Sequence, residues 1–236
     1  MNLIAAVIDA VFPRRCPVCH DIVPMGDGLI CYSCKDGFKK VSDPYCLKCG
    51  KPIRDSSMAY CSQCTNNIRY YDEGRAAFIY DDIMRKSIYS FKYGGREEYA
   101  KYYASQIYAE FGPKIKEWNA EGLIPIPIHK SRYKKRGYNQ AYLISKELSK
   151  LTGIPTYDNI LKRVKNTVVQ KNLNAIERSN NLKNAFKITK NAVKLQSAIL
   201  VDDIYTTGST INVAAAVLKD AGTSKIYYLT LSIGQG

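Results

Sequence analysis

Beyond Cys64 the chain of 236 residues has no cysteine, and in total it has one tryptophan and two histidines. Long apolar runs are also missing. None approaches the roughly 18 residues a membrane-spanning helix needs, so no transmembrane segment is expected. Acidic residues thin out in one place: residues 129–194 hold 3 of them against 16 basic ones, a net +13 out of a chain total of +14. Residues 1–64, 65–128 and 195–236 carry +2, 0 and −1. A charge that served solubility alone would not segregate in this way. Either this stretch is a solvated basic face, or it meets phosphates, nucleic acid or an anionic membrane. Hydrophobic residues make up 46% of the chain, which excludes wholesale disorder. The length suits one domain plus a small module, or two small domains.

A recognisable export signal is lacking too. The stretch Met1–Phe12 is apolar, but it has no basic start and is interrupted by Asp9. Arg14 and Arg15 follow where a small-residue cleavage site would stand. It reads as a short amphipathic helix packed on the rest of the protein. The expected location is the cytoplasm, a reducing compartment where paired cysteines hold metal more often than they form disulfides.

All eight cysteines form Cys-x-x-Cys pairs: Cys16/Cys19, Cys31/Cys34, Cys46/Cys49 and Cys61/Cys64. Each pair begins 15 residues after the last. A two-residue gap turns both thiolates of a knuckle toward one ion, and two knuckles complete a tetrahedral four-thiolate shell. Eight ligands therefore imply two zinc ions. Large aliphatic residues are few here, so metal binding should supply much of the folding energy. Disulfides, an iron–sulfur site and a haem attachment at Cys16-Pro17-Val18-Cys19-His20 are the competing readings. Sequential and cross-braced pairing fit the spacing equally. His20 lies beside the ligands or is simply exposed.

After Cys64 the texture becomes alternating strands and helices. Strands are expected at Ala76–Tyr80, Leu123–Ile128, Ile160–Val164, Ala198–Val201 and Lys225–Ile233. Helices are expected from Asp81/Asp82 to about Lys92, over Arg96–Phe111 with a stop at Gly112-Pro113, over Asn139–Leu151, and over Ser209–Ala221. The alternation predicts an α/β fold, a parallel sheet with helices on both faces. The expected division is 1–66 for the N-terminal helix and cysteine module, and 67–236 for the α/β domain.

Ligands of such sheets bind at the C-terminal ends of the strands. There one motif stands out, Ile199-Leu200-Val201-Asp202-Asp203-Ile204-Tyr205-Thr206-Thr207-Gly208-Ser209-Thr210. A buried strand delivers two adjacent carboxylates to its tip. A hydroxyl-rich turn then opens a helix, whose free N–H groups cradle a phosphate. Gly208 lets the backbone approach the anion. Carboxylates beside such a cradle accept bonds from sugar hydroxyls, so the motif reads a ribose 5′-phosphate. No Gly-Lys-Ser/Thr string is present, which excludes a Walker A loop. The plain alternative is an acidic strand end followed by a helix cap.

At this motif the chain resembles the type I phosphoribosyltransferases. Three further segments narrow the likeness: Phe91-Lys92-Tyr93-Gly94-Gly95-Arg96; Pro125-Ile126-Pro127-Ile128-His129 with Arg136-Gly137-Tyr138-Asn139-Gln140-Ala141; and Arg163-Val164-Lys165-Asn166-Thr167 with Gln170, Leu173, Glu177-Arg178 and Asn184-Ala185-Phe186. With the cysteine module in front, nearly the whole chain resembles the ComF family of competence-associated proteins (the ComFC/GntX group). The resemblance implies a phosphoribosyltransferase-like fold that binds phosphoribosyl pyrophosphate with Mg2+. It implies ligand contacts from Asp202, Asp203, Thr206, Thr207, Gly208, Ser209 and Thr210, and from a pyrophosphate loop holding Lys130, Arg132 and Arg136. Lys165–Asn184 falls where the family's closing loop lies. Thr206 stands where purine-salvage members carry an aspartate, which argues against a purine acceptor. His129 is the weak candidate for a catalytic base; its cationic neighbours favour strand-end structure or pyrophosphate contact.

Two functions follow from the resemblance. One is pentosyl transfer to an unidentified nucleophile. The other is a role in DNA uptake and natural transformation, through handling of single-stranded DNA. The basic stretch, with Tyr133, Tyr138 and Tyr142 among its cations, supports the second, because cations track a backbone while rings stack on bases. Core packing is the plain account of the 19 tyrosines. A non-catalytic docking adaptor, for instance toward a competence helicase partner, is the alternative reading of the cysteine module.

Overall fold

The computed structural model describes residues 13–24, 28–164, 185–190 and 192–234. The expected N-terminal helix and the expected closing loop lie outside the described residues. So do the family positions Thr167, Gln170, Leu173, Glu177, Arg178 and Asn184.

Four strands form a parallel sheet in the order β1 (Glu73–Ile79), β6 (Lys225–Ile233), β5 (Ser197–Tyr205), β2 (Gly122–Pro125). β5 and β6 are central, and the apolar runs 198–201 and 226–229 within them suit strands covered on both faces. β2 ends at Pro125 and lies at the sheet edge, where a missing ladder donor does no harm.

Side chains alternate between two cores. Leu123, Ile199, Val201, Leu229 and Leu231 face one, with helices α2 (Asp82–Tyr93), α3 (Tyr99–Trp118) and α5 (Gln140–Thr152). Ile124, Ala198, Leu200, Ile226 and Tyr228 face the other, with helix α6 (Ser209–Asp220). A short hairpin of β3 (Leu161–Arg163) and β4 (Phe186–Ile188) packs on this second face. The segment expected as a strand at Ile160–Val164 therefore pairs antiparallel outside the main sheet. Its partner β4 begins 23 residues after β3 ends, and Leu161 and Phe186 bury themselves against the second core instead of joining the main ladder.

The helix expected to stop at Gly112-Pro113 continues to Trp118, with Pro113 inside it. Two extra turns bury Ile115 and Trp118, and Trp118 stacks on Tyr227 at 4.7 Å. That burial outweighs the roughly 3 kcal/mol a proline costs in a helix interior. The stop comes at Asn119, in the left-handed region at φ 44°.

The cysteine-rich segment, which ends in the short helix α1 (Ser62–Asn66), folds around the outer edge of β1. The N–H of Val41 donates to Ala77 O, Ile79 N–H donates to Lys39 O, and Gly74 N–H donates to Lys48 O. These bonds cover an edge that would otherwise offer unpaired groups to other chains. Cys16, Val23, Ile30 and Phe38 join the first core, whereas Cys46, Cys49 and Cys61 join the second. Phe38 packs on Phe78 and Tyr102 at centroid distances of 5.2 and 6.1 Å. Phe38→Ala is expected to cost about 3–5 kcal/mol, as buried Phe truncations do. Chemical denaturation would measure it, and a loss below about 1 kcal/mol would show that the segment is not fastened there.

Candidate functional site

The eight thiols gather as two tetrads, Cys16/Cys19/Cys31/Cys34 and Cys46/Cys49/Cys61/Cys64, each with its four Sγ atoms within 4.8 Å of one another. Pairing is thus sequential, not cross-braced. An ion bound to four sulfurs at about 2.3 Å in a tetrahedron sets neighbouring sulfurs about 3.8 Å apart. Cys19 Sγ and Cys31 Sγ lie at 3.8 Å, and Cys49 Sγ and Cys61 Sγ at 3.7 Å. Such separations are far too long for a disulfide, at about 2.05 Å. Membership of a four-thiol shell also removes Cys16 and Cys19 from the haem reading. Both tetrads fit zinc. His20 sits beside the first, its Nδ1 3.0 Å from the Tyr99 hydroxyl, which in turn donates to Cys16 O.

The acidic pair lies in the second half of the central strand β5, which continues past the expected end at Val201 to Tyr205. Asp202 and Asp203 are both partly covered, and the Asp203 N–H donates to Asp202 Oδ1 at 2.9 Å. The Asp203 carboxylate is ion-paired with the Lys92 ammonium from the last turn of α2. Burial works against its charge, but Lys92 prevails and holds its pKa below the ordinary carboxylate range. Asp202 goes the other way. Burial, then the neighbouring Asp203 charge, push it well above that range.

Tyr205 closes β5, and Thr206 and Thr207 stand exposed in the turn that follows. Gly208 adopts φ 74°, and a Cβ there would lie 2.2 Å from the Tyr205 hydroxyl oxygen. Only glycine satisfies both the left-handed backbone and that close approach. Ser209 and Thr210 open α6, and the hydroxyls of Thr207 and Ser209 lie 2.8 Å apart.

The floor of this turn reaches the second tetrad. The Tyr205 ring stacks on Tyr228 at 5.0 Å and 3°, and its hydroxyl pairs with that of Tyr71 at 2.8 Å. Tyr228 donates to the carbonyl of Cys49 at 2.6 Å. Just past Cys64, Asn212 of α6 accepts from Tyr70 N–H and donates to Ile68 O. One network therefore links a metal ligand to the hydroxyl-rich turn.

The expected pyrophosphate loop is wound as a short helix, α4 (Lys130–Arg136). His129 caps it, its Nδ1 accepting from Ser131 N–H at 3.2 Å. Lys130 is exposed and Arg132 half-buried. Arg136 donates to the Tyr93 hydroxyl and to Gln140 Oε1, each at 2.8 Å. That hydrogen bond holds the Tyr93 hydroxyl below its ordinary pKa. Arg163, at the end of β3, lies within electrostatic range of Asp202 and Arg132. Tyr138 does not join the exposed rings: it is buried, with its hydroxyl bonded to Phe91 O. Tyr89 and Tyr93, 66% and 45% exposed, take its place beside Tyr133 at 53%. A cavity of about 270 Å³ lined by Ile124, Ile160, Ile188, Leu195 and Leu218 shares no residue with this edge.

Lys92, Tyr93 and Arg163 were not given roles by the motif reading. Lys92 carried one signal: it lies four residues after Ile88, on the flank of the helix face that buries Ile88 and Phe91. A charge in that register needs a buried partner.

The sheet and the thiol tetrads define a parallel-sheet α/β protein with a double zinc ribbon, and residues 7–65 match the double zinc ribbon domain family. Competence protein F of Haemophilus influenzae is 32% identical over 91% of this chain and 95% of its own length. Competence protein ComFC of Bacillus subtilis is 30% identical over 83% of this chain and 80% of its own. On that likeness the chain belongs to the competence protein F/ComFC family. DNA utilization protein YhgH of Escherichia coli is 32% identical over 44% of this chain and 45% of its own length. A purine phosphoribosyltransferase from Pyrococcus horikoshii overlays with a TM-score of 0.36 and 17% identity, over 56% of this chain and 73% of that one.

Metal analysis should find two zinc ions per chain, with Cys16→Ser and Cys46→Ser each lowering the content to about one. Content of two in either variant would break the tetrad assignment. Asp202 gives a separate test by pH. Above the ordinary Asp range the folded chain keeps a proton that the unfolded chain releases, so wild-type stability falls as pH rises. Asp202→Asn has no such proton. Its unfolding midpoint should gain on wild type as pH rises above about 4, the ordinary Asp value. A constant difference would show that the carboxyl is not raised.

Proposed function

We propose that this chain binds phosphoribosyl pyrophosphate together with Mg2+ at the C-terminal end of β5, and that it serves DNA uptake by handling single-stranded DNA in the cytoplasm. The observation that carries the reading is the strand-end acidic pair running directly into a glycine turn at the start of α6. In this reading Asp202 and Asp203 take the ribose hydroxyls. The backbone and hydroxyls of Thr206, Thr207, Gly208, Ser209 and Thr210 hold the 5′-phosphate. Lys130, Arg132 and Arg136 neutralise the pyrophosphate, to which Mg2+ would add charge neutralisation when bound. His129 is already engaged as a helix cap, so no general base is assigned and binding is the primary activity.

The DNA part draws support from the names of the relatives, competence proteins and a DNA utilization protein. It also draws on the surface. Tyr89 and Tyr93 are 5.1 Å apart, Lys135 and Arg136 lie over the Tyr93 ring, and Tyr133 is exposed on α4. Rings interleaved with cations suit a single strand without sequence preference. No described helix is long and apolar enough to cross a membrane.

Calorimetric titration tests the pocket: Mg2+-dependent binding in wild type, lost in Asp202→Asn/Asp203→Asn. Absence of binding in wild type would end the reading. Anisotropy with a fluorescent oligonucleotide tests the surface. The log affinity should fall against log salt by about 0.7 for each phosphate contacted. Tyr89→Ala/Tyr93→Ala should lose about 1–3 kcal/mol per stacked base. No binding at low salt would remove the DNA part and leave the pocket standing.

A further inference from the structure

We infer that Lys92 is a positioning residue of the sugar-phosphate site, fixing the Asp203 carboxylate and cancelling its charge so that an anionic sugar can approach the acidic pair. The inference rests on the binding proposed above for that site.

Burial comes first. The Lys92 and Asp203 side chains are only 17% and 13% exposed. A pair so far from solvent is screened little by salt, and removing one partner strands the other. The second observation is that α2 does not need this pair to stay seated. Met84, Ile88 and Phe91 are buried in the first core. Ser87 lies 2.6 Å from the Tyr103 hydroxyl, and Tyr138 donates to Phe91 O near the helix end. Gly94 N–H closes the last turn on Ser90 O. A charge at position 92 is therefore surplus to the fold, and its ammonium reaches the Asp203 carboxylate near the end of β5.

The third observation is geometric. Asp202 already accepts the N–H of Asp203, so the two carboxyls are held in different ways, one by the backbone and one by Lys92. With the Asp202 pKa pushed up, Asp203 carries the negative charge of the pair, and that charge would repel a phosphate-bearing ligand. The Lys92 ammonium balances it. It also holds an ionised acceptor still, which spares a hydroxyl ligand the cost of ordering it. Sequence order fits the arrangement: Lys92 precedes Tyr93, whose hydroxyl is tied to Arg136. One turn of α2 thus serves both the carboxylate side and the cationic side of the edge.

The test is a double-mutant cycle on the full chain, read as the dissociation constant for phosphoribosyl pyrophosphate with Mg2+ by calorimetry. Lys92→Met should weaken binding by about tenfold, while Lys92→Met in an Asp203→Asn background should change it by less than about twofold. Lys92→Arg should restore most of the affinity, which a purely steric role would not predict. Unfolding temperatures and near-ultraviolet dichroism report whether each variant is folded. Should the Met variant be unfolded, the Arg variant and Lys92→Gln carry the same comparison. Wild-type affinity in Lys92→Met overturns the inference, and so does an equal loss in both backgrounds. Failure of the wild type to bind is a different result: it removes the underlying pocket, and this role with it.

Discussion

Everything else in this molecule depends on covering one four-stranded parallel sheet. Both of its faces are apolar and one of its outer strands, β1, would present open backbone groups. Helices α2, α3 and α5 take one face, and α6 with the β3–β4 hairpin takes the other. The edge falls to the cysteine-rich segment, which hydrogen-bonds along β1 and sends one tetrad toward each face. A segment poor in large aliphatic residues could not hold that shape alone. Two four-thiolate shells supply the cross-links that a hydrophobic core supplies elsewhere.

This arrangement makes the metal segment part of the site's foundation. Tyr205, Tyr228 and Tyr71 stack and hydrogen-bond between the carbonyl of Cys49 and the underside of Gly208. Buried tyrosines suit the task because each combines a large apolar face with a hydroxyl that must find a partner. Packing accounts for seven of the 19 tyrosines, since Tyr99, Tyr102, Tyr103 and Tyr138 are buried too. Seven others are exposed; among them Tyr93 lies under Lys135 and Arg136, and Tyr133 stands on α4 itself.

Much of this was legible in the sequence. Asp81 caps a helix where a capping residue was expected, the helix expected from Asn139 begins there with Asn139 as its cap, and β5 and β6 occupy the apolar runs. Where the reading failed, a local signal met a stronger tertiary one. Gly112-Pro113 is a stop signal, yet Trp118 had a stacking partner on β6 and the helix ran on. Arg132 and Arg136 were expected in a loop but lie on a helix, which sends Arg136 to Tyr93. The excess of positive charge at 129–194 gathers in part around the acidic pair, through Arg132, Arg136 and Arg163.

The sequence by itself determined what depends on spacing along one chain: two-residue cysteine knuckles, alternating apolar strands, and two carboxylates ahead of a glycine turn. These are local because covalent geometry fixes how far neighbouring residues can reach. Only the tertiary structure decided which knuckles share an ion, which tyrosines are buried, and that Lys92 meets Asp203 across 111 positions of sequence. Such partners are chosen by burial and by the need to neutralise charge away from water. Those forces act between surfaces brought together by folding and leave only faint marks in the order of residues.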